Sequence, residues 1–191
     1  MMLSEFQTVG RDLFTRGLVS SHSGDLSVRQ GERLFITRRG SMLGGLGEDD
    51  LVETGLSRNN RATPRASTEL ALHRAIYSRT PARAIVHAQP PHAIALSLTG
   101  NEIAPCDHDG FSLLPQIPVL GWGKEEPLEQ MADELIKVLK EFRVALVYGH
   151  GSFAVGQILE EAYQLTTAVE RSCQIICLLR SLEANNPPLV R

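Results

Sequence analysis

The chain has 191 residues, of which 42% are hydrophobic and 21% are charged, and its formal net charge is −3. This length favours a single domain over residues 1–191, with a core large enough to fold without disulfides or a structural metal. The absence of a basic excess argues against a nucleic-acid partner, and no apolar run approaches the roughly 18 residues of a membrane span. The acid-containing N-terminus differs from a signal peptide, and three cysteines, an odd number, favour reduced thiols in the cytoplasm.

Hydrophobic periodicity and turn residues predict alternating helices and hairpins along the chain. The predicted helices cover 4–17, 67–80, 90–100, 125–142 and 158–183. The predicted strands lie in 25–37, where a turn at Gln30-Gly31 divides two strands, in 82–88, and in 143–156, where Gly149-His150-Gly151 divides two more. This order predicts an α/β fold with a mixed, largely antiparallel central sheet that helices cover on both faces.

Three polar residues lie at the ends of predicted elements. Glu69 is in the first turn of its helix, His87 ends a buried strand, and His150 lies between two glycines at a strand corner. Taken singly, each has an ordinary structural explanation, because the helix dipole favours a carboxylate there and a lone histidine is usually a core or turn residue. Taken together, one carboxylate and two imidazoles at element ends can converge at one sheet edge. Such a ligand set suits Zn²⁺ with an open coordination position.

Five sequence segments follow one another in an order known from one protein family. They read "SGDLSVR" at 23–29, "ITRRG" at 36–40, "ASTELALHRAIY" at 66–77, "IVHAQPPHAIALS" at 85–97 and "YGHGSFAVG" at 148–156. The third and fourth segments, which a short loop separates, are the most specific. Over about residues 5–180, the chain resembles the class II aldolase/adducin family.

The resemblance implies a three-layer αβα sandwich that assembles into a homotetramer with the active site between subunits. The family's acid/base glutamate follows a pair of small hydroxyl residues, and Glu69 matches it. Two zinc histidines of the family are spaced H-x-H on a strand. His87 matches the first and Gln89 stands at the second. His150 matches the third zinc histidine.

The resemblance also implies a cup for the substrate phosphate. Backbone and hydroxyl groups of Thr37, Gly40, Ser67 and Thr68 would form this cup. The placement agrees with physical expectation, because Ser67 and Thr68 stand at a helix N-terminus, where free N–H groups attract anions.

Three residues depart from the family pattern. Gln89 offers a neutral amide oxygen, which binds zinc more weakly than imidazole does, so we expect a labile metal. Asp25 stands where the family commonly has an asparagine, and an ionised carboxylate cannot donate a hydrogen bond to phosphate. Trp122 stands near the place of a tyrosine acid, and an indole is no acid at neutral pH.

The remaining polar candidates have structural interpretations. His73 is four residues after Glu69 and is expected to support it or to pack inward. The segment "CDHDG" at 106–110 is more typical of a turn than of a ligand set. His92 is separated from His87 by two prolines and is not expected to replace the missing zinc ligand, and His22 is interpreted as a turn residue.

The sequence thus predicts a metal-dependent aldolase-type lyase. Its substrate would be a small sugar phosphate or a related hydroxy-carbonyl compound, cleaved through an enediolate with weakly bound zinc or another divalent metal. One alternative is a dehydratase or epimerase of the same family, and another is a catalytically inactive, adducin-like interaction module. The three candidate ligands favour an enzyme, whereas Gln89, Asp25 and Trp122 favour the module.

Overall fold

The computed structural model of the protein describes residues 2–121 and 131–185. In these residues the helices are α1 Met2–Thr15, α2 Leu70–Arg79, α3 Pro91–Ser97, α4 His108–Leu113, α5 Ala132–Phe142 and α6 Leu159–Asn185. The strands are β1 Asp25–Gln30, β2 Arg33–Thr37, β3 Leu51–Gly55, β4 Ala84–Ala88, β5 Glu102–Ile103, β6 Ile117–Leu120, β7 Val144–Val147 and β8 Gly151–Gly156.

The eight described strands form one sheet in the order β3-β2-β1-β4-β8-β7-β6-β5. Strands β6 and β7 are parallel, and every other neighbouring pair is antiparallel. The register between β1 and β4 places Asp25 opposite His87. The prediction of a mixed, largely antiparallel sheet is confirmed.

Each face of the sheet packs against helices, which gives the predicted three layers. The core on one face contains side chains of α1 and α6 together with Ala84, Val86 and Ala88 of β4. The core on the other face contains side chains of α2 and α5 together with Ile85. Since successive strand residues point to opposite faces, His87 lies on the same face as Ile85, which is the face that α2 covers.

The sequence located most elements but not all of them. The hairpin of β1 and β2 turns at Gln30-Gly31 as predicted, and Gly31 has a positive φ of 61°. Strands β3, β5 and β6 and the short helix α4 were not predicted. The first part of the helix predicted over 125–142 and the residue Trp122 lie outside the described residues, as does most of the C-terminal tail. Among the described helices, none combines the length and the low polarity that a bilayer span requires.

Candidate metal centre

Glu69 lies at the entrance to α2, directly before the first helical residue, Leu70. Glu69 itself is the N-cap residue of this helix, and its side chain makes no capping hydrogen bond. Instead, the backbone N–H of Glu69 donates to Oγ of Ser67 over 3.2 Å. The Glu69 carboxylate is therefore not used by the helix and is directed to the end of β4.

His150 reaches the same place through the turn between β7 and β8. Gly149 and Gly151 flank it with φ values of 64° and 152°, both of which favour glycine. A Cβ atom on Gly151 would lie 2.3 Å from the carbonyl oxygen of Ala88, so the close approach of β8 to β4 requires glycine here. The two glycines thus bring His150 beside the end of β4, and its ring centroid lies 4.9 Å from that of His87.

The three side chains predicted to bind the metal converge, as the sequence indicated. Nδ1 of His87 lies 2.6 Å from Oε2 of Glu69, and Nε2 of His150 lies 3.5 Å from Oε1 of Glu69. One ligand atom from each residue lies within 4.8 Å of the other two. Oε2 of Glu69, Nδ1 of His87 and Nε2 of His150 are buried and have no hydrogen bond of acceptable geometry in the described structure.

Buried polar atoms without partners are costly, and in native proteins they are rare. A divalent cation would satisfy all three atoms, because neutral imidazole and carboxylate are common zinc ligands. Three protein ligands also leave one position open for a water or a substrate oxygen. The donor set therefore fits a divalent metal such as Zn²⁺.

The charge state of Glu69 agrees with this interpretation. Burial would raise the pKa of Glu69, but the neighbouring imidazoles of His150 and His87 outweigh burial and hold that pKa well below its ordinary value of 4.5. The carboxylate is therefore ionised at neutral pH and available to a cation.

Gln89 lies on the same side of the chain as His87, as expected for two residues separated by one. Its Nε2 atom is 3.5 Å from Nε2 of His87, and its Oε1 atom is buried without a hydrogen-bond partner among the described residues. An amide oxygen is an acceptable but weak ligand for a divalent cation. Gln89 thus lies beside the three converging side chains, and its amide oxygen is unused.

A second polar group lies directly beneath the site. Asp25 is buried, and its Oδ1 atom is 2.9 Å from Nε2 of His73 and 4.0 Å from Nδ1 of His87. The other ring nitrogen of His73 lies 2.7 Å from Oγ of Ser27, which lies 2.7 Å from the hydroxyl of Tyr77. Burial would raise the pKa of Asp25, but His73 lowers it more strongly, so the carboxylate is ionised, although its Oδ1 atom and Nε2 of His73 make no hydrogen bond of acceptable geometry among the described residues.

This arrangement decides between the two interpretations of His73. His73 packs inward, as one of its two interpretations held, and it pairs with Asp25. Ser27 and Tyr77 were missed at the sequence level, although a signal was present. Tyr77 follows His73 by four residues and so lies on the same face of α2, and Ser27 lies two residues after Asp25 on one face of β1.

A cavity of about 190 Å³ opens beside Glu69 and His87. Three of the four predicted cup residues, Gly40, Ser67 and Thr68, line it. Thr37 is buried below the cavity. Its hydroxyl accepts from the N–H of Leu26 over 3.2 Å, and its carbonyl accepts from the N–H of Ser67.

The other polar candidates have structural roles, although the role of the "CDHDG" segment differs from the predicted turn. Asp107 caps α4 by accepting from the N–H of Gly110, so the "CDHDG" segment is a helix start. His22 is exposed in the turn before β1, with Nδ1 3.0 Å from the Ser21 hydroxyl. His92 contacts Glu170 at 2.7 Å and does not join the metal ligands.

Comparison with known proteins agrees with this geometry. Residues 4–177 match the profile described as "Class II Aldolase and Adducin N-terminal domain". An L-fuculose phosphate aldolase of Methanocaldococcus jannaschii is 29% identical over 175 residues, which are 91% of this chain and 94% of that protein. A methylthioribulose-1-phosphate dehydratase of Acidiphilium cryptum is 27% identical and covers 87% of this chain and 85% of its own length.

Comparison of the fold with solved structures finds relatives of the same kind. The crystal structure of an L-fuculose-1-phosphate aldolase from Thermus thermophilus superimposes with a TM-score of 0.90 and 37% sequence identity, covering 98% of both chains. The chain therefore belongs to the class II aldolase and adducin family, and among known enzymes it is similar to L-fuculose-phosphate aldolases.

Proposed function

We propose that the protein is a metal-dependent aldolase-type lyase that cleaves a small sugar phosphate or a related hydroxy-carbonyl compound. One observation carries the proposal: three buried atoms that can bind a metal, from Glu69, His87 and His150, converge beside a cavity without hydrogen-bond partners among the described residues. An interaction module would have no need to maintain such an arrangement, because unsatisfied buried donors reduce stability.

The metal would be zinc or another divalent cation. His87, His150 and Glu69 would hold it, with the amide oxygen of Gln89 as a weak further ligand. Such a cation would polarise the substrate carbonyl and so favour the negative charge that C–C cleavage leaves on an enediolate. With an amide in place of a third imidazole, we expect the metal to be present but labile.

The protein side chains would supply binding and proton transfer. A carboxylate next to the metal is well placed to move a proton, and Oε1 of Glu69, on the His150 side, would do so. The residues Gly40, Ser67 and Thr68 line the cavity and would hold the anionic end of the substrate, with Thr37 positioning Ser67 from below.

A dehydratase is the second candidate. The observation in its favour is the similarity to the Acidiphilium cryptum dehydratase over most of both chains. A dehydratase or an epimerase of this family would use the same cation and the same carboxylate, and it would differ in which bond breaks next to the polarised carbonyl. The site residues would therefore be common to these activities.

The test combines metal analysis with a substrate screen. Protein purified without added zinc is analysed for bound metals, and zinc-loaded protein is then incubated with a panel of phosphorylated and free ketoses. We expect aldehyde release that depends on the metal and is lost in Glu69→Ala. Loss of water from the substrate without aldehyde would favour the dehydratase, and the absence of both metal binding and turnover would favour the interaction module.

We further propose that residues 1–191 form one domain that assembles into a homotetramer in the cytoplasm. The single sheet with cores on both faces supports one domain, and the family resemblance supports the tetramer. Light scattering at micromolar concentration tests the assembly. A monomer would contradict a site that is shared between subunits.

A further inference from the structure

We infer that the protein binds a second divalent cation, at an inner site formed by Asp25, His73 and Glu69. The candidate metal centre of Glu69, His87 and His150 is the outer site, and the two sites share Glu69. The inference goes beyond the proposed function, because binding of the inner cation does not depend on which reaction the protein catalyses.

The buried polar atoms around Glu69 are more than one cation would satisfy. Six side-chain atoms have no hydrogen-bond partner among the described residues, and they are Asp25 Oδ1, Glu69 Oε2, His73 Nε2, His87 Nδ1, Gln89 Oε1 and His150 Nε2. A cation at the outer site would satisfy the four that do not belong to Asp25 or His73. The atoms of Asp25 and His73 would remain without a partner, and unpartnered buried polar atoms are costly and rare.

These two atoms lie at a distance that suits one particular coordination geometry. Oδ1 of Asp25 is 2.9 Å from Nε2 of His73, yet the contact does not have the geometry of a hydrogen bond. Adjacent ligands of an octahedral cation, each about 2.1 Å from the ion, are about 3.0 Å apart. The tetrahedral arrangement typical of zinc would separate them by about 3.3 Å. The observed distance therefore fits an octahedral cation such as Mg²⁺ or Mn²⁺.

Asp25 and His73 are held in place through their other polar atoms. Oδ2 of Asp25 accepts from the hydroxyl of Ser67, and Nδ1 of His73 lies 2.7 Å from the hydroxyl oxygen of Ser27. Metal-binding histidines usually make a hydrogen bond through their second ring nitrogen, which fixes the ring and leaves the first nitrogen for the ion. Oδ1 of Asp25 and Nε2 of His73 are thus oriented and available.

The burial and the chemistry of the inner residues also suit a cation. Asp25 is 4% exposed and His73 is 0% exposed, so water contributes little to satisfying either side chain. Two carboxylates and one imidazole form a ligand set rich in oxygen, which suits Mn²⁺ or Mg²⁺ better than it suits a softer metal. Asp25 and Glu69 both line the 190 Å³ cavity, which gives an ion a route from solvent.

A proton on His73 is the alternative partner of the Asp25 carboxylate. A protonated His73 would form a buried ion pair with Asp25 and would bind no metal. The N–H of such an imidazole would be expected to point at Oδ1, which is not the geometry observed. The two alternatives predict different numbers of bound ions, because the ion pair leaves the outer site alone.

Equilibrium dialysis of the metal-free full chain against Mn²⁺, followed by metal analysis, tests the inference. We expect two Mn²⁺ ions per chain in the wild type. Asp25→Asn should lose the inner ion, with its affinity falling by roughly tenfold or more, and His150→Ala should lose the outer ion. Glu170→Gln is the matched control, because Glu170 is a largely buried carboxylate that contacts a histidine outside both sites, and it should retain both ions.

The dependence on each substitution separates the possible outcomes. Asp25→Asn keeps the shape of the side chain and an oxygen that can accept from Ser67, so the variant should fold, which circular dichroism checks. A number of bound ions that Asp25→Asn leaves unchanged would overturn the inference. A single ion that both Asp25→Asn and His150→Ala remove would also overturn it, because Asp25 would then only support the outer site.

The same measurement distinguishes this inference from the proposed function. A single ion that depends on Asp25 and not on His150 would leave the inner site standing without the outer one. A single ion that depends on His150 and not on Asp25 would leave only the outer site and overturn the inference. No binding of Mn²⁺ at millimolar concentration would overturn it as well.

Electron paramagnetic resonance of the Mn²⁺-loaded protein gives a second readout. Two ions that share a carboxylate lie about 3.5–4 Å apart in two-metal sites, so their electron spins should couple and broaden the spectrum of the wild type. Asp25→Asn should give the spectrum of an isolated ion. A wild-type protein that binds two ions with the spectrum of isolated ones would overturn the inner site, because the second ion would then lie elsewhere.

Discussion

Among the described residues, two glutamates contact histidines, and their carboxylates have opposite hydrogen-bond environments. Glu170 of α6 lies 2.7 Å from Nδ1 of His92, and its Oε2 atom accepts from the backbone N–H groups of His92 and Ala93 at 3.1 Å each. Glu69 lies 2.6 Å from Nδ1 of His87, yet its Oε2 atom has no hydrogen bond within the described residues. The two side chains are similarly buried, with 14% and 18% of their surface exposed.

The comparison shows that residue type and burial do not distinguish these two carboxylate–histidine pairs, whereas their hydrogen-bond partners do. Glu170 has a donor for each oxygen and holds the start of α3 against α6, whereas Glu69 and its histidines direct unused atoms at one another. Unused buried atoms have a cost, and a bound cation removes that cost.

The largest effect is expected from Glu69→Gln, which should lower the rate of substrate cleavage by roughly 10²- to 10⁴-fold at saturating zinc. The amide keeps the shape of the side chain but can neither accept a proton at neutral pH nor hold the metal as a charged ligand. The measurement is the turnover number with the ketose found in the substrate screen.

Because the Oε2 atom of Glu69 makes no hydrogen bond to the residues that the structure describes, this substitution should leave the protein folded, with an unchanged circular dichroism spectrum. A folded Glu69→Gln protein with wild-type turnover would show that Glu69 is not the acid/base. The difference between Glu69 and Glu170 would then have no connection with catalysis.

The second-largest effect is expected to be a gain in zinc affinity. Gln89→His should tighten zinc binding by roughly 10- to 100-fold, the range known for changes around metal ligands. His92→Gln is the matched control, because His92 belongs to the same "IVHAQPPHA" segment but pairs with Glu170, and it should leave zinc affinity unchanged.

Titration of zinc against a competing chelator measures both variants. Tight zinc binding by the wild type would show that Gln89 does not weaken the metal site. If neither the wild type nor Gln89→His binds zinc, the site is inactive for another reason, and the interaction module becomes the better hypothesis.

A smaller effect is expected at the structural pair. Glu170→Gln should lower the free energy of unfolding by about 1–2 kcal/mol, because an amide offers one acceptor oxygen to three donors and places its own N–H₂ against one of them. This corresponds to a fall of about 2–8 °C in Tm for a protein of this size. Zinc affinity should not change, and a loss of zinc binding in Glu170→Gln would contradict the separation of the two pairs.

The sequence predicted the part of this picture that depends on periodicity and on element ends. Glu69, His87 and His150 were recognised because a helix start, a strand end and a glycine-flanked turn expose side chains at a sheet edge. The same reasoning located β4 and its two buried faces. Strand β5 has only two residues, and a segment this short has too few residues to show a period.

Partnership was harder to predict than position. Nothing in "IVHAQPPHA" distinguishes the partner of His87 from that of His92, since Glu170 is 78 residues from the latter. The same limit applies to Asp25, whose contact with His73 across two elements was not predicted. It also applies to the two arginines of "ITRRG", of which Asp50 fixes one and leaves the other free. Such choices are made by tertiary packing.

The smallest effect concerns acid stability in the absence of metal, and its sign follows from the pKa of Glu69. Burial would raise that pKa, but His150 and His87 lower it more, so that it lies below the ordinary value of 4.5. Near pH 4 the unfolded chain therefore binds more protons at this position than the folded chain does. The resulting stabilisation is fully present above pH 4.5 and is lost as the pH falls towards the folded pKa. Glu69→Gln lacks this contribution, and because burial and the charge of Glu69 both act to raise the pKa of Asp25, removal of that charge also keeps Asp25 ionised to a lower pH in the variant, which acts in the same direction. Urea unfolding in the presence of a chelator, from about pH 7 down to pH 3.5, measures the free energy of unfolding of both proteins. The difference between wild type and Glu69→Gln should change below about pH 4.5, because the wild type loses stability there. A difference that stays constant over this range would mean that the histidines do not hold Glu69 in its charged form when the metal is absent.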